Sequence, residues 1–340
     1  MTQVKSGPEA RRETADMTHQ SIAAIGSFWL ALLAIPTCLF FSNPSPALAS
    51  EPDQTPLYEW QPQLAPEGPV TIVVRIPQQT AYVYRNGVRI GRSHVSTGRP
   101  GYQTPAGVFA ILEKQREHYS NLYDDAPMPY MQRLTWNGFA LHAGSLPGYP
   151  ASHGCIRLPY SFAEKLFAIT SKGTTVIVSD TTAPAAAAIG DPFRMAPVVG
   201  DRAAEWHPER SAVGPVAVIL SLSDRELVVL RNSLEIGRAP VAVFANAWRG
   251  THAYVRLPGD SILPSSIVPD RPALKWLEIP LTPDAASANL NVLAESLQVD
   301  TGFAAQAYDV LAPGSTLIVT DEPISAGPDT TLILAGTPMP

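Results

Sequence analysis

The sequence contains little cysteine, with two residues in 340. Cys38 lies inside an uncharged apolar stretch near the N-terminus, and Cys155 is the only cysteine after that stretch. If the stretch is removed on export, Cys155 has no disulfide partner within its own chain. A fold that depends on disulfides is therefore excluded, and Cys155 is either a buried inert residue or a reactive thiol.

Charged residues are also few, at 16% of the chain, with a net charge of −6 and no run of Lys or Arg. A mildly acidic protein without a basic cluster argues against a nucleic-acid partner. Proline, in contrast, is abundant at 34 residues, which favours strands, turns and linkers over long helices. The length suits two modest domains or one large domain.

Residues 1–49 have the order of a secretory signal. Basic residues precede the apolar stretch from Ile22 to Phe41, and Ala47-Leu48-Ala49 then supplies a small-x-small cleavage site. The alternative is an uncleaved membrane anchor, because about 20 apolar residues can span a bilayer. Cys38 lacks the small neighbours that lipid attachment requires. We therefore predict export across the inner membrane.

The most concentrated chemistry lies around Cys155, in the segment Ser152–Arg157 (SHGCIR), with His142 ten residues upstream. A thiol is a nucleophile only as the thiolate, and a nearby imidazole is the usual proton acceptor, here His142 or His153. Gly154 removes a side chain where a substrate carbonyl would approach. The backbone N–H groups of Gly154 and Cys155 are the predicted oxyanion donors. The pattern favours acyl transfer through a cysteine nucleophile.

Zinc binding is the alternative chemistry for the same residues. His142, His153 and Cys155 are side chains that zinc prefers, and three ligands suffice for a catalytic site. However, His-x-Cys within one turn is not a common zinc spacing, and a zinc site leaves Gly154 without a role. The sequence therefore predicts no metal and no cofactor.

The first half of the chain carries strand and turn signals around one helix. Alternating apolar residues begin at Val70, and Asn86-Gly87 is a strong two-residue hairpin signal. A helix is predicted from Pro159 to Ser171, with its apolar side chains on one face. The run Thr174–Val178 is predicted to be a closing strand.

The second half repeats this plan. Gly68-Pro69-Val70 recurs as Gly214-Pro215-Val216, and the segment GTTVIVSD from Gly173 recurs as GSTLIVTD from Gly314. We predict a tandem duplication. Residues 283 to 298, where the reactive residues of the copy would lie, contain neither His nor Cys, so the fold is retained and the chemistry lost.

The predicted organisation is mainly β. It comprises a signal or anchor (1–49), a linker (50–67), a sandwich-like domain with a short helix (68–180), an Ala/Pro-rich linker (181–213), a degenerate repeat of similar fold (214–321) and a flexible tail (322–340).

The reactive segment resembles the L,D-transpeptidase catalytic domain family, also called YkuD-type. The family signature is a histidine followed by Ser/Thr-His-Gly-Cys, an aliphatic residue, and Arg or Asn. Ser96-Thr97-Gly98 with Thr104–Phe109, and Met128–Met131, also resemble the family. The gap from His142 to Ser152 is shorter than is usual there. The resemblance covers about residues 68 to 180 and implies a β-sandwich with the cysteine in a cleft under a flap.

The resemblance also implies roles for single residues. Cys155 is the nucleophile and His142 the preferred general base, while His153 is either the alternative base or a brace for the turn. A backbone carbonyl orients the imidazole in this family.

Three further residues are predicted to bind substrate. Arg157 would hold a carboxylate of the stem peptide, with a structural ion pair as its alternative role. Tyr130 and Met131 would line the acyl pocket, and the alternative role of both is a place in the hydrophobic core.

The implied activity is 3→3 cross-linking of peptidoglycan. The enzyme would attack a tetrapeptide stem, release D-alanine and pass the acyl group to an amine of a second stem. Carboxypeptidation by water, and attachment of the amine of a wall-linked protein, remain open alternatives. A third, of another class, is a non-catalytic peptidoglycan-binding module, which fits the second half. The expected location is the periplasm or the cell wall, and no oligomeric state is predicted.

Overall fold

A computed structural model describes residues 56–120, 125–191, 193–196, 202–244, 248–268, 270–282, 285, 290–324 and 332–333. The predicted signal, residues 1–49, lies outside this range, as does much of the predicted tail. Within the described residues, no helix combines the length and the apolar composition needed to cross a membrane.

Extended structure dominates the first half, as its β-branched and aromatic runs predict. The strands are β1 (Tyr58–Trp60), β2 (Val70–Arg75), β3 (Thr80–Arg85), β4 (Val88–His94), β5 (Gly107–Ala110), β6 (Glu113–Gln115), β7 (Met131–Arg133), β8 (Ala140–Ala143), β9 (Ile156–Leu158) and β10 (Thr175–Ser179). One α-helix, α1 (Tyr160–Ile169), lies between β9 and β10, and Pro62–Leu64 is a 3₁₀ turn.

The second half is also mainly extended. Its strands are β11 (Ala186–Ile189), β12 (Arg194–Ala196), β13 (Glu205–Trp206), β14 (Val216–Ser221), β15 (Glu226–Arg231), β16 (Leu234–Val243), β17 (His252–Arg256), β18 (Lys275–Pro280), β19 (Leu297–Asp300), β20 (Thr316–Thr320) and β21 (Leu332–Ile333). Its helices are α2 (Leu290–Ser296), α3 (Thr301–Val310) and the 3₁₀ turn Pro208–Arg210.

Local signals place two elements where the sequence predicts them. Asn86 and Gly87 both have positive φ and join β3 to β4 as an antiparallel hairpin. Helix α1 begins directly after Pro159, whose ring tolerates only the first turn of a helix, and its apolar face is buried. Both predictions are confirmed.

The described strands form three sheets, of seven, ten and four strands. The first has the order β1-β4-β3-β2-β10-β5-β21, and the second contains the order β16-β15-β14-β20-β17, with β13 beside β16. In both, a parallel pair at the centre (β2 with β10, β14 with β20) lies between antiparallel neighbours. The order β1-β4-β3-β2-β10-β5 of the first half therefore corresponds to the order β13-β16-β15-β14-β20-β17 of the second half.

The two large sheets pack face to face. Their shared core contains Val73, Val108 and Ile177 of the first sheet and Ile219, Ile318 and further residues of the second. Hydrogen bonds also join the halves, such as that from Ser179 Oγ to the Pro280 carbonyl at 2.7 Å. The two large sheets are thus the two layers of one sandwich, and the halves are not two separate domains.

The linker predictions for residues 50–67 and 181–213 are wrong where the structure describes these residues. The first segment contains β1, which pairs with β4, and the second contains β11 and β13, which pair with β18 and β16. Proline and alanine content suggested linkers, but backbone pairing with distant strands orders both segments. The predicted tail likewise contains β21, which pairs with β5.

The four-stranded sheet, β6-β7-β8-β9, covers the other face of the first large sheet. Leu141, Ile156 and Leu158 from this sheet are buried with Ile72 and Val176 of the large sheet, and α1 completes this core. The second half therefore lies behind the first large sheet, and the small sheet lies in front of it.

Candidate active site

Strands β8 and β9 bring the predicted catalytic residues onto one face of the small sheet. They pair in parallel, with Leu141 opposite Ile156 and His142 opposite Arg157. Side chains alternate along a strand, so burial of Leu141 and Ile156 in the core directs His142 and Arg157 outward. Cys155, one residue before β9, packs on the same outer face with Ala140 and Met131.

The imidazole of His142 is held in one tautomer. Its Nδ1 lies 2.8 Å from the carbonyl oxygen of Ala143, which can only accept, so Nδ1 carries the proton and Nε2 has the free lone pair. Burial lowers the pKa of His142 to about 4, and the charges of Arg157 and His118 act in the same direction. The ring is therefore neutral near pH 7 and able to accept a proton.

The Cys155 thiol is held as a neutral donor. Its Sγ lies 3.6 Å from the carbonyl oxygen of Gly138. Burial raises the pKa of Cys155, although a hydrogen bond from the Ala140 backbone and the charges of Arg157 and Arg133 oppose this. The resting pair is thus a thiol and a neutral imidazole, and a thiolate requires transfer of the proton to a base.

Cys155 opens into a cavity of about 220 Å³. The cavity is lined by His118, Ser120, Met128, Met131, Arg133, Trp136, Asn137, Gly138, Ala140 and Cys155. All of these residues belong to the first half, which agrees with the position of the second half behind the large sheet. Met131 is fully buried and lies in this wall.

The His153 side chain contacts the loop that contains Arg99 and Tyr102. Its Nε2 accepts a hydrogen bond from the Arg99 guanidinium at 2.8 Å, and its ring packs edge-on against Tyr102 at 4.7 Å between centroids. A nitrogen that already accepts from an arginine is not available to take the thiol proton. Of the two roles considered for His153, this geometry favours the brace, and the role of His142 as the base stays a prediction.

The predicted oxyanion donors differ in their surroundings. Gly154 adopts φ +111°, which favours glycine, but its N–H donates to Ser152 Oγ at 3.1 Å. Gly154 can serve an oxyanion only if that bond is exchanged, so the Cys155 N–H is the better candidate.

A loop from the first half braces the Gly154 turn. Thr104 Oγ1 donates to the Gly154 carbonyl at 2.7 Å and accepts from the Gly98 N–H at 2.8 Å. A Cβ atom on Gly98 would lie 1.9 Å from the Tyr102 carbonyl oxygen, so this position excludes any side chain. The first of the two family-like segments, which contains Gly98 and Thr104, thus contacts the reactive turn itself.

Tyr130 is not part of the cavity wall, which corrects its prediction as a pocket residue. Tyr130 is buried in the core beneath the small sheet, whereas Met131 packs with Cys155 on the other side of that sheet. The Tyr130 ring packs against Tyr160 of α1, and its hydroxyl donates to Glu164 at 2.7 Å. The alternative prediction, a place in the core, describes it correctly.

Arg157 lies beside His142 on the outer face, and its aliphatic stem packs against Gly144. Its charge acts on both His142 and Cys155.

Sequence reasoning missed two residues of this site, His118 and Arg133. Both lie in the hairpin formed by β6 and β7, and strand pairing brings them beside Cys155. No motif surrounds either residue. The available signal was a histidine and an arginine flanking Met128–Met131, the segment already recognised as family-like.

Within the part of the chain that the structure describes, no group of three His, Cys, Asp or Glu side chains is placed to hold a metal ion. The zinc alternative required His142, His153 and Cys155 to converge, whereas His153 faces Arg99.

A thiol and a neutral imidazole of fixed tautomer on one sheet face, next to a braced SHGC turn, are what acyl transfer by a cysteine would require. Residues 69–178 match the family model of YkuD, the L,D-transpeptidase catalytic domain. The resemblance seen in the sequence is confirmed for this part of the chain. The predicted mainly β fold with a short helix agrees as well. No curated protein matches the chain.

Solved structures of L,D-transpeptidases resemble the same part of the chain. One from Mycobacterium tuberculosis H37Rv is 31% identical, with 33% of this chain and 57% of that chain covered and a TM-score of 0.32. One from Stackebrandtia nassauensis is 32% identical, with 35% and 58% covered and a TM-score of 0.31. L,D-transpeptidase 3 from M. tuberculosis, in complex with a faropenem-derived adduct, is 30% identical, with 32% and 59% covered and a TM-score of 0.30. The chain thus spans under two thirds of the length of these relatives.

Proposed function

We propose that this protein is an exported, cysteine-dependent L,D-transpeptidase that acts on peptidoglycan tetrapeptide stems and forms 3→3 cross-links. The observation that carries the proposal is the shared outer face of β8 and β9, which presents both the Cys155 thiol, opening into a cavity, and an imidazole of fixed tautomer, His142. The family match of residues 69–178 supports the same activity.

In the acylation step, His142 Nε2 takes the proton of Cys155 as Sγ attacks the carbonyl carbon of the stem amide. A C–S bond forms, and the carbonyl oxygen becomes an oxyanion near the Cys155 N–H. As the C–N bond breaks, His142 returns the proton to the leaving nitrogen. D-Alanine departs as the amine, and the rest of the stem remains as a thioester.

In the second step, an amine of another stem attacks the thioester carbon and Cys155 leaves as a thiolate that regains a proton. Water in place of the amine would give a carboxypeptidase, and the amine of a wall-linked protein would give protein attachment. These outcomes share the acyl-enzyme and differ only in the nucleophile that reaches it.

The positive charges of Arg133 and Arg157 suit an anionic substrate. Both favour the thiolate through their effect on Cys155, and a free carboxylate of the stem would be attracted by the same field. Arg133 already pairs with Glu113 at 2.7 Å. Arg157 remains the better candidate for a bidentate contact with that carboxylate.

The second half is proposed to be a catalytically silent relative of the first that acts as a scaffold. Its strand order repeats that of the first sheet, and it buries the rear face of that sheet. The segment 283–298, where its reactive residues would lie, is described only in part, at residue 285 and from residue 290 onward. A role as a cap over the cleft is disfavoured, because the cavity wall contains only residues of the first half.

The test is mass spectrometry of the full-length protein incubated with a disaccharide tetrapeptide. We expect loss of D-alanine and a cross-linked dimer, and full activity in the presence of a metal chelator. Cys155→Ala and Cys155→Ser should abolish both products, while an exposed control, His207→Gln, should retain them. Wild-type activity of Cys155→Ala would refute the assignment of the nucleophile. Release of D-alanine without a dimer would identify a carboxypeptidase instead.

A further inference from the structure

A chain of hydrogen bonds connects β6 and β7 to the Cys155 cavity. Arg133 Nε donates to Glu113 Oε2 at 2.7 Å, and Gln115 Nε2 donates to Glu113 Oε1 at 2.6 Å. Gln115 Oε1 then lies 2.7 Å from Nδ1 of His118. His118 is the last member of this relay, and its side chain lines the cavity.

The relay determines which nitrogen of His118 carries the proton. The Glu113 carboxylate can only accept, so the amide nitrogen of Gln115 must face it and the amide oxygen must face His118. An oxygen acceptor requires a donor opposite it, so His118 Nδ1 is protonated. Nε2 therefore keeps its lone pair, as it does in His142.

The charged and titratable groups around His118 favour its neutral form. Partial burial and the charge of Arg133 lower the pKa of His118, and the charge of Glu113 opposes them. His118 and His142 also interact electrostatically, and Cys155 lies in the same cavity wall. The cavity is thus bordered by a neutral imidazole, that of His118, to which the acylation step assigns no task.

Within the proposed function, the second step must remove a proton that the acylation step does not involve. An alkylamine acceptor has a pKa of about 10.4 and arrives at neutral pH as an ammonium ion. Forming an amide N–H from it releases two protons. One returns to the Cys155 sulfur, and the other must leave before attack, because an ammonium nitrogen has no lone pair.

We infer that His118 is the general base of the second step, accepting at Nε2 the proton that converts the acceptor ammonium into the attacking amine. The proton then passes to solvent, and the amine nitrogen forms the new C–N bond as the C–S bond breaks. His142 serves the thiol, and His118 serves the acceptor. Glu113 and Gln115 are positioning residues that keep the lone pair of His118 directed at the cavity.

This inference rests on the proposed function, and the two are tested by separate readouts. Acylation of Cys155 is measured alone, as the rate at which faropenem adds its mass to the protein. The second step is measured as aminolysis of the acyl-enzyme with two acceptors. One is an alkylamine that is protonated at pH 7, and the other is trifluoroethylamine, a weak base that is already neutral.

We expect His118→Gln to acylate within about twofold of the wild-type rate and to lose about 100-fold in aminolysis by the alkylamine at pH 7, the scale of general base catalysis. The loss should disappear with trifluoroethylamine, and it should shrink as the pH approaches the pKa of the alkylamine, about 10.4. The matched control, His207→Gln in the second half, should behave as the wild type with both amines.

Equal losses with both amines, or no loss with either, would overturn the role of His118 as a base. A wild-type protein that releases no D-alanine from the tetrapeptide would instead refute the proposed function. If His118→Gln itself fails to acylate, Gln115→Met decides, because it keeps His118 but removes the acceptor that holds its tautomer. The same selective loss with the alkylamine then supports the inference, and its absence overturns it.

Discussion

Ile177 is the position where the packing of the two halves is most directly tested. It lies in β10, between Val73 of β2 and Val108 of β5, is fully buried, and belongs to the core shared with the second sheet. Ile177→Ala removes three carbon atoms from a site that both layers enclose. Large-to-small changes of this kind cost about 2–5 kcal/mol, because the cavity closes only in part.

A loss of about 3 kcal/mol corresponds to a decrease in Tm of roughly 6–12 °C for a unit of this size, using 2–4 °C per kcal/mol. Because the cavity lies between the layers, both halves should lose stability together in one transition. Calorimetry gives the Tm, and hydrogen exchange of peptides from β14 and β20 reports on the second half.

The control for this change is Ile262→Ala, whose side chain is fully exposed. It should alter the free energy of unfolding by no more than about 0.5 kcal/mol. A decrease confined to the first half, with unchanged exchange in β14 and β20, would refute the sandwich and restore two independent domains. On the same reasoning, residues 50–182 alone should be insoluble, since they would expose the apolar rear face of the first sheet.

Three further predictions concern the reactive site. His142→Ala should slow alkylation of Cys155 by iodoacetamide near pH 7 more than His153→Ala does, because His153 already accepts a hydrogen bond from Arg99. The reverse order would transfer the base role to His153. In the wild type, the acylation rate should fall at low pH around the lowered His142 pKa of about 4, because the ring is neutral and can accept a proton above that pH. A fall around the ordinary histidine pKa of about 6.5 would contradict this. Gly98→Ala should reduce kcat by at least about tenfold, since a Cβ there must displace the Tyr102 carbonyl and the Thr104 contact to the turn, and an unchanged kcat would show that the brace is dispensable.

The sequence alone predicted the turns, the helix start and the reactive segment, because each depends on neighbouring residues. Asn86-Gly87 predicts its hairpin because few residues tolerate positive φ at two consecutive positions, and Pro159 marks the start of α1 because its ring excludes helix on its N-terminal side. The SHGC segment with an upstream histidine likewise indicates the reaction type, since a thiol needs a base and a backbone that exposes N–H groups. Each of these signals lies within a short stretch of chain.

The tertiary structure alone decided which side chains meet. His118 reaches the Cys155 cavity through pairing of β6 with β7, and Tyr130 turns toward α1 although its neighbour Met131 lines the wall. His153 is two residues before Cys155 in sequence yet bonds to Arg99 on another loop. The composition of residues 186–189 does not distinguish them from a linker. They form a strand because their backbone pairs with the edge of β18. Backbone pairing and the burial of both faces of a sheet depend on partners far away in sequence, so no local pattern encodes them.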